Sequence, residues 1–149
     1  MSGYFGVGIY NTKTVENVGT LWRSALIFDA AFVFTIGKRY KKQASDTLKT
    51  SRYIPLINYP TFEEFQKCRP DGCQLIGVEQ TEKSIPLDRF VHPQRVIYLL
   101  GAEDHGLPPA VLEKCQSVVS ITTRLCLNVA VAGSIVMYSR GQSPTVSKP

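Results

Sequence analysis

No apolar run in this sequence reaches the roughly 18–20 residues that a helical membrane span requires. The first ten residues, MSGYFGVGIY, lack the basic start, apolar centre and small-residue cleavage site of a secretory signal. Cysteine is sparse and poorly spaced for a metal. Cys68, Cys73, Cys115 and Cys126 form no C-x-x-C pair, and neither His92 nor His105 completes a zinc pattern. The thiols are therefore expected to be free, no metal is expected, and the cytoplasm is the expected compartment. A G-x-x-x-x-G-K-[ST] phosphate loop is missing, which argues against triphosphate hydrolysis. So is the G-x-G-x-x-G of dinucleotide folds, because Glu103 stands where its middle glycine would be.

What is present fits one globular domain. The chain has 149 residues, 44% of them hydrophobic, long enough to bury a real core. Continuously apolar strand patterns at 4–10, 31–36, 74–79, 95–101 and 117–122, with a weaker one at 53–58, alternate with helical patterns. The helices are expected at 17–28, 61–67, 108–114 and 128–139, with a further short one at 45–53. Apolar strands of this kind are buried on both faces, so the fold class expected is α/β around a mostly parallel sheet. Residues 1–140 form the domain, and the polar tail 141–149, with two prolines, is expected to be disordered.

Charge is modestly positive, +5 overall, but clustered. Lys38, Arg39, Lys41, Lys42, Lys49 and Arg52 face a single acid, Asp46, with Tyr40 and Tyr53 interleaved. Clustered cations gain by releasing counterions from a phosphate backbone, and tyrosines stack on unpaired bases. A solvated helix face with ordinary surface lysines explains the run equally well.

Three stretches hold the residues that could do chemistry. The first, Asn17-Val18-Gly19-Thr20-Leu21-Trp22-Arg23, opens an amphipathic helix whose Val18, Leu21, Trp22, Ala25 and Leu26 face the core. Arg23 lies off that stripe, and Asn17 suits the N-cap. The second is a strand ending in Gly101-Ala102-Glu103-Asp104-His105-Gly106-Leu107, whose glycines allow positive φ or close backbone approach. The third, Cys126-Leu127-Asn128, opens a last helix that is small or apolar on every side. Such a helix is either a central core helix or one shared between the core and a dimer interface. Taken singly, none of the three decides a function.

Together, in this order and spacing, they resemble the three motifs of the SPOUT class of RNA methyltransferases, nearest the SpoU-type ribose 2′-O-methyltransferases. The resemblance runs from about Gly6 to Arg140. It implies a C-terminal trefoil knot, which nothing in composition or periodicity reveals, and a homodimer. It implies S-adenosylmethionine as methyl donor, held mainly by backbone groups at Gly77, Val78, Glu79, Gly101, Ile121, Cys126 and Leu127. Arg23 then matches the catalytic arginine, grouped with Asn17, Glu103 and Asn128. Glu103 would orient Arg23 or cap a turn, and Asn128 would brace the pocket or simply cap its helix.

Many relatives carry an additional RNA-binding domain ahead of the catalytic one. This chain starts on a strand, so recognition of its RNA, tRNA or rRNA, is expected to fall to the dimer surface. Lys38, Arg39, Lys41, Lys42 and Arg52 are the candidates. Two departures stand out: Cys126 replaces the usual serine, and the approach Ile121-Thr122-Thr123-Arg124-Leu125 is shorter and lacks proline and glycine. The rival readings are a non-catalytic RNA-binding protein with a retained knot, a SPOUT enzyme methylating a base, and a general α/β enzyme of small molecules.

Overall fold

A computed structural model describes residues 3–40 and 54–143. Seven strands form one sheet: β1 (Tyr4–Tyr10), β2 (Phe32–Ile36), β3 (Leu56–Tyr59), β4 (Gln74–Val78), β5 (Ile85–Pro86), β6 (Arg95–Leu100) and β7 (Ser117–Ser120). Their order is β3-β2-β1-β6-β4-β7-β5, and every pairing is parallel. The helices are α1 (Val15–Ile27), α2 (Phe62–Cys68), α3 (Pro109–Leu112) and α4 (Val129–Gln142).

The apolar strands are continuous because both faces of the sheet are covered. On one face Phe5, Val7 and Ile9 of β1 join Val96, Tyr98 and Leu100 of β6 beneath α1 and α4. On the other, Phe32, Phe34, Ile97 and Leu99 pack with Phe65 of α2 and Val111 of α3. Gly6 and Gly8 sit in β1 because the rings of Phe32 and Phe34 lie over that strand. A Cβ at either glycine would come within 2.6 or 2.5 Å of a ring carbon. Helix α4 meets α1 at Gly133, where a Cβ would stand 2.5 Å from Leu21 Cδ1, and Ser134 donates to Ser24 at 2.9 Å.

The expected strands are found, each within a few residues of its predicted ends. The two-residue β5 was not legible, being too short for a periodic signal. Helix α1 starts earlier than expected. Thr14, not Asn17, occupies its N-cap, and Asn17 lies in the first turn. Helix α4 continues to Gln142, past the boundary expected at 140. The short helix expected at 45–53 lies outside the described residues.

At the N-terminal end of the sheet, a buried polar cluster joins β6 to α4. His92 is 2% exposed, with Nδ1 2.6 Å from the Tyr98 hydroxyl and Nε2 3.0 Å from Ser139 Oγ. Arg140 lies 4.7 Å over the Phe5 ring and donates to Gln94 O at 2.9 Å. Burial, and then the Arg140 charge, lower the His92 pKa from 6.5 to about 4. The unfolded chain thus takes up this proton near pH 6.5, the folded chain only near 4. Stability therefore falls as pH drops through that window, by roughly 3 kcal/mol in all. Urea denaturation at pH 7.5 and 4.5 should show this loss, and His92→Gln should flatten it.

Candidate active site

In a parallel sheet, ligands bind beyond the carboxyl ends of the strands, where successive connections run in opposite directions. Here that point lies between β1 and β6, since the chain leaves β1 toward β2 and leaves β6 toward β7. The two loops that emerge there, residues 11–14 and 101–108, are bonded to each other through one carboxylate. Glu103 accepts from Thr12 Oγ1 at 2.9 Å and from Thr14 Oγ1 at 3.0 Å. The chain of bonds continues: Asn17 Nδ2 donates to Thr14 Oγ1 at 2.7 Å, and Asn128 Nδ2 donates to Asn17 Oδ1 at 2.9 Å. Asn128 Oδ1 accepts from the N–H groups of Ala130 and Val131 at 2.9 and 3.2 Å. Asn128 is therefore both the N-cap of α4 and the brace that ties α4 to α1. Burial pushes the Glu103 carboxyl up, but hydrogen bonds from its own backbone, Thr12, Thr14 and Asn17 outweigh it and hold the group ionised below its usual range.

Beside this chain lies a cavity of about 480 Å³. Its walls include Val78 at the end of β4 and Glu79 after it, Gly101 after β6, and Ile121, Cys126 and Leu127 on the approach to α4. Six of the seven residues expected to hold a cofactor are thus brought together. Gly77 is not. It lies within β4, where a Cβ would contact Cys115 Sγ and Leu107 Cδ1 at 3.2 Å, so its missing side chain makes room for α3 and the following turn.

The 101–107 loop is held shut by its own backbone and by Glu79. Gly106 N–H donates to Ala102 O at 3.0 Å, with Gly106 at φ +64°. The Glu79 carboxylate accepts from Leu107 N–H at 2.9 Å. Glu79 therefore shapes the cavity through its side chain as well as its backbone.

Arg23 stands apart. It is exposed on the outer face of α1, does not line the cavity, and makes no hydrogen bond or ion pair among the described residues. Of the two roles expected for Glu103, contact with Arg23 of the same chain is not seen among the described residues: Thr12 and Thr14 donate to that carboxylate instead. Of the basic patch, Arg39 is bound in a bidentate pair to Asp104 at 3.0 and 2.7 Å and donates to Asn11 O at 2.9 Å. Its guanidinium holds the Asp104 carboxyl far below the usual range. Lys38 is exposed, its Nζ 5.3 Å from the Tyr40 ring centroid. Lys41, Lys42, Lys49 and Arg52 lie outside the described residues. Among the described residues no group of His, Cys, Asp or Glu could hold a metal ion.

Thr12, Thr14 and the Arg39–Asp104 pair were missed from the sequence. The threonines did leave a signal, two hydroxyls flanking one residue between a strand and a helix start, but that pattern alone reads as ordinary turn chemistry.

Residues 5–138 match the model of the SpoU rRNA Methylase family. The chain belongs to this family. Among individual proteins, it is 28% identical over 147 residues to the mouse tRNA (guanosine(18)-2′-O)-methyltransferase TARBP1. That match takes in 89% of this chain but only 9% of the mouse protein. The chain thus spans less than a tenth of that relative's length. A solved structure concerned with 2-OH methylation of C/U34 on tRNA superposes with a TM-score of 0.83 at 20% identity, covering 94% of this chain and 95% of the other. An AdoMet-bound rRNA methyltransferase from Sinorhizobium meliloti gives 0.77 at 22% identity, over 94% of this chain and 56% of that one. At such identities the likeness to solved structures establishes the SpoU fold. No helix of the described residues is long and apolar enough to cross a membrane.

Proposed function

We propose that this SpoU chain transfers a methyl group from S-adenosylmethionine to a ribose 2′-hydroxyl of tRNA or rRNA, as a homodimer in the cytoplasm. The observation that carries the reading is the chain of bonds from Glu103 through Thr14 and Asn17 to Asn128. It joins the three sequence motifs at the edge of one cavity, at the crevice where a parallel sheet binds its ligands. The trefoil knot implied for residues leading into α4 is part of the proposal.

The cavity fits the donor. Its volume of about 480 Å³ is within the usual range of small-molecule sites. Gly101 lets backbone groups come close, and the apolar side chains Leu100, Leu127 and Val129 suit an adenine ring. When bound, S-adenosylmethionine supplies a methyl group activated by its sulfonium charge. The ionised Glu103 keeps the crevice negative beside that cation.

Arg23 is proposed to act on the RNA. An ordinary guanidinium, with a pKa above about 12, is a poor proton acceptor but a good grip for a phosphate. It holds the backbone so that the 2′-oxygen is aimed at the cavity. Because Arg23 lies on the outer face of α1 and away from its own cavity, the proposal has it serve the partner's site.

The dimer reading rests on an apolar stripe without cover. Val131 and Tyr138 of α4 are 44% and 58% exposed, with Ile135 between them, and Ile27 of α1 is 67% exposed. Lys38 and the basic residues after it would extend the RNA surface.

The test is methyl transfer from labelled S-adenosylmethionine to bulk tRNA and rRNA lacking native modifications, followed by digestion to nucleosides. Label in 2′-O-methylnucleosides is the expected result. Label on bases would sink the ribose assignment, and donor binding without transfer to either RNA would favour a binding-only protein.

A further inference from the structure

A second cavity, of about 750 Å³, opens at the carboxyl ends of β1 and β2 between α2 and α3. We infer that it receives an unstacked base of the RNA substrate, from a nucleotide near the one that is methylated; the inference rests on the RNA methylation proposed above. Four observations point there. First, Tyr10 and Phe62 are partly buried in its walls, and Phe62 continues a run of aromatic packing through Phe65, whose ring centroid lies 6.0 Å from its own. Aromatic walls of this kind stack on bases of any sequence.

Second, Gln66 Oε1 is buried with no hydrogen-bond partner among the described residues. Native proteins rarely leave such an acceptor unpaired, and because Gln66 lines the cavity, a turn of its side chain would bring the amide to a donor from outside the chain. An exocyclic amino group or ring N–H of a base supplies one. The amide of Asn11, on the same cavity, has no partner among the described residues and is free to pair with a second edge atom.

Third, the exposed Lys114 at one side of the rim is placed to meet a phosphate, while the exposed acid Glu63 lies at the α2 side. Fourth, the two cavities are linked by bonded neighbours. Asn11 lines the second, its neighbour Thr12 bonds Glu103 of the first, and Arg39 clasps Asn11 O and Asp104 together. One RNA chain crossing those neighbours would reach both.

The experiment uses the full chain, a pool of tRNA transcripts, and the variants Gln66→Leu and Asn11→Gly. Leucine removes an acceptor that the fold leaves unsatisfied, so the melting temperature should hold or rise. Glycine accepts the positive φ of 53° at Asn11 without strain. Each variant should raise the Kd for transcripts and the KM for RNA about tenfold. The Kd for S-adenosylmethionine should stay within about twofold, since neither side chain lines the first cavity. Transcripts carrying 4-thiouridine should crosslink to the peptide that contains Phe62. Wild-type affinity for transcripts in both variants overturns this inference alone, and so does weakened donor binding. A wild-type protein that binds no RNA overturns it together with the proposed activity.

Discussion

Alanine at position 23 should lower the rate of ribose methylation at least about a hundredfold, with donor affinity and melting temperature near wild type. The structural half of this expectation follows from placement. Arg23 is exposed on α1, makes no bond among the described residues, and would be replaced by the best helix former. Substitutions at such sites usually move stability by less than about 0.5 kcal/mol. The catalytic half follows from chemistry. Aiming a hydroxyl at its target is worth several kcal/mol, and removing one well-placed donor from a developing charge costs roughly 2.7–4 kcal/mol.

Arg23→Lys separates the two roles open to this side chain. Lysine keeps the charge but lacks the planar fork that grips a phosphate with two parallel hydrogen bonds. If Arg23 holds phosphate, lysine should recover little activity, and the defect should lie in both kcat and the KM for RNA. A lysine enzyme with nearly full activity and a rate that climbs with pH would instead mark position 23 as the proton acceptor. The engagement of Glu103 within its own chain favours the first outcome. Its carboxylate, committed to two threonines, is not available to help deprotonate a guanidinium.

The sheet was legible in the sequence because its signals are local or periodic, and the candidate site because of a family resemblance. Strands 4–10 and 95–101 read as buried because apolar residues fill both faces without interruption, and β1 and β6 lie side by side at the centre. Asn17, Glu103 and Asn128 could be grouped because their three motifs, in this order and spacing, resemble those of a known family. What linked them was hidden. Thr12 and Thr14 look like turn residues until the fold sets β6 next to β1 and brings a carboxylate 89 positions away within 3.0 Å. Asn17 illustrates the same limit: its side chain suits a cap, but Thr14 takes that place and leaves Asn17 free to bridge α1 and α4. The pairing of Arg39 with Asp104 was invisible for a like reason. A cation inside a basic run reads as unpaired, and only tertiary structure supplies its acid.

Gly101→Ala should abolish measurable donor binding. A methyl group there would stand 2.5 Å from the Cα and carbonyl carbon of Gly106 and 2.6 Å from Leu107 N, all backbone atoms that cannot rotate aside. The 101–107 loop would have to open, breaking the bond from Gly106 N–H to Ala102 O and straining that from Leu107 N–H to Glu79. Overpacking of this kind costs about 1–3 kcal/mol of stability, so a folded protein with a lower melting temperature and a lost donor site is expected, read by calorimetric titration with S-adenosylmethionine. The variant also decides which subunit Arg23 serves. Gly101→Ala spoils the cavity and Arg23→Ala the arginine, so each homodimer should be inactive. In a mixed dimer, an arginine acting across the interface meets an intact cavity once. Random mixing should then restore about a quarter of wild-type activity, from half the dimers with one sound site each. An arginine acting within its own chain would restore none, because the chain with the sound arginine carries the broken cavity.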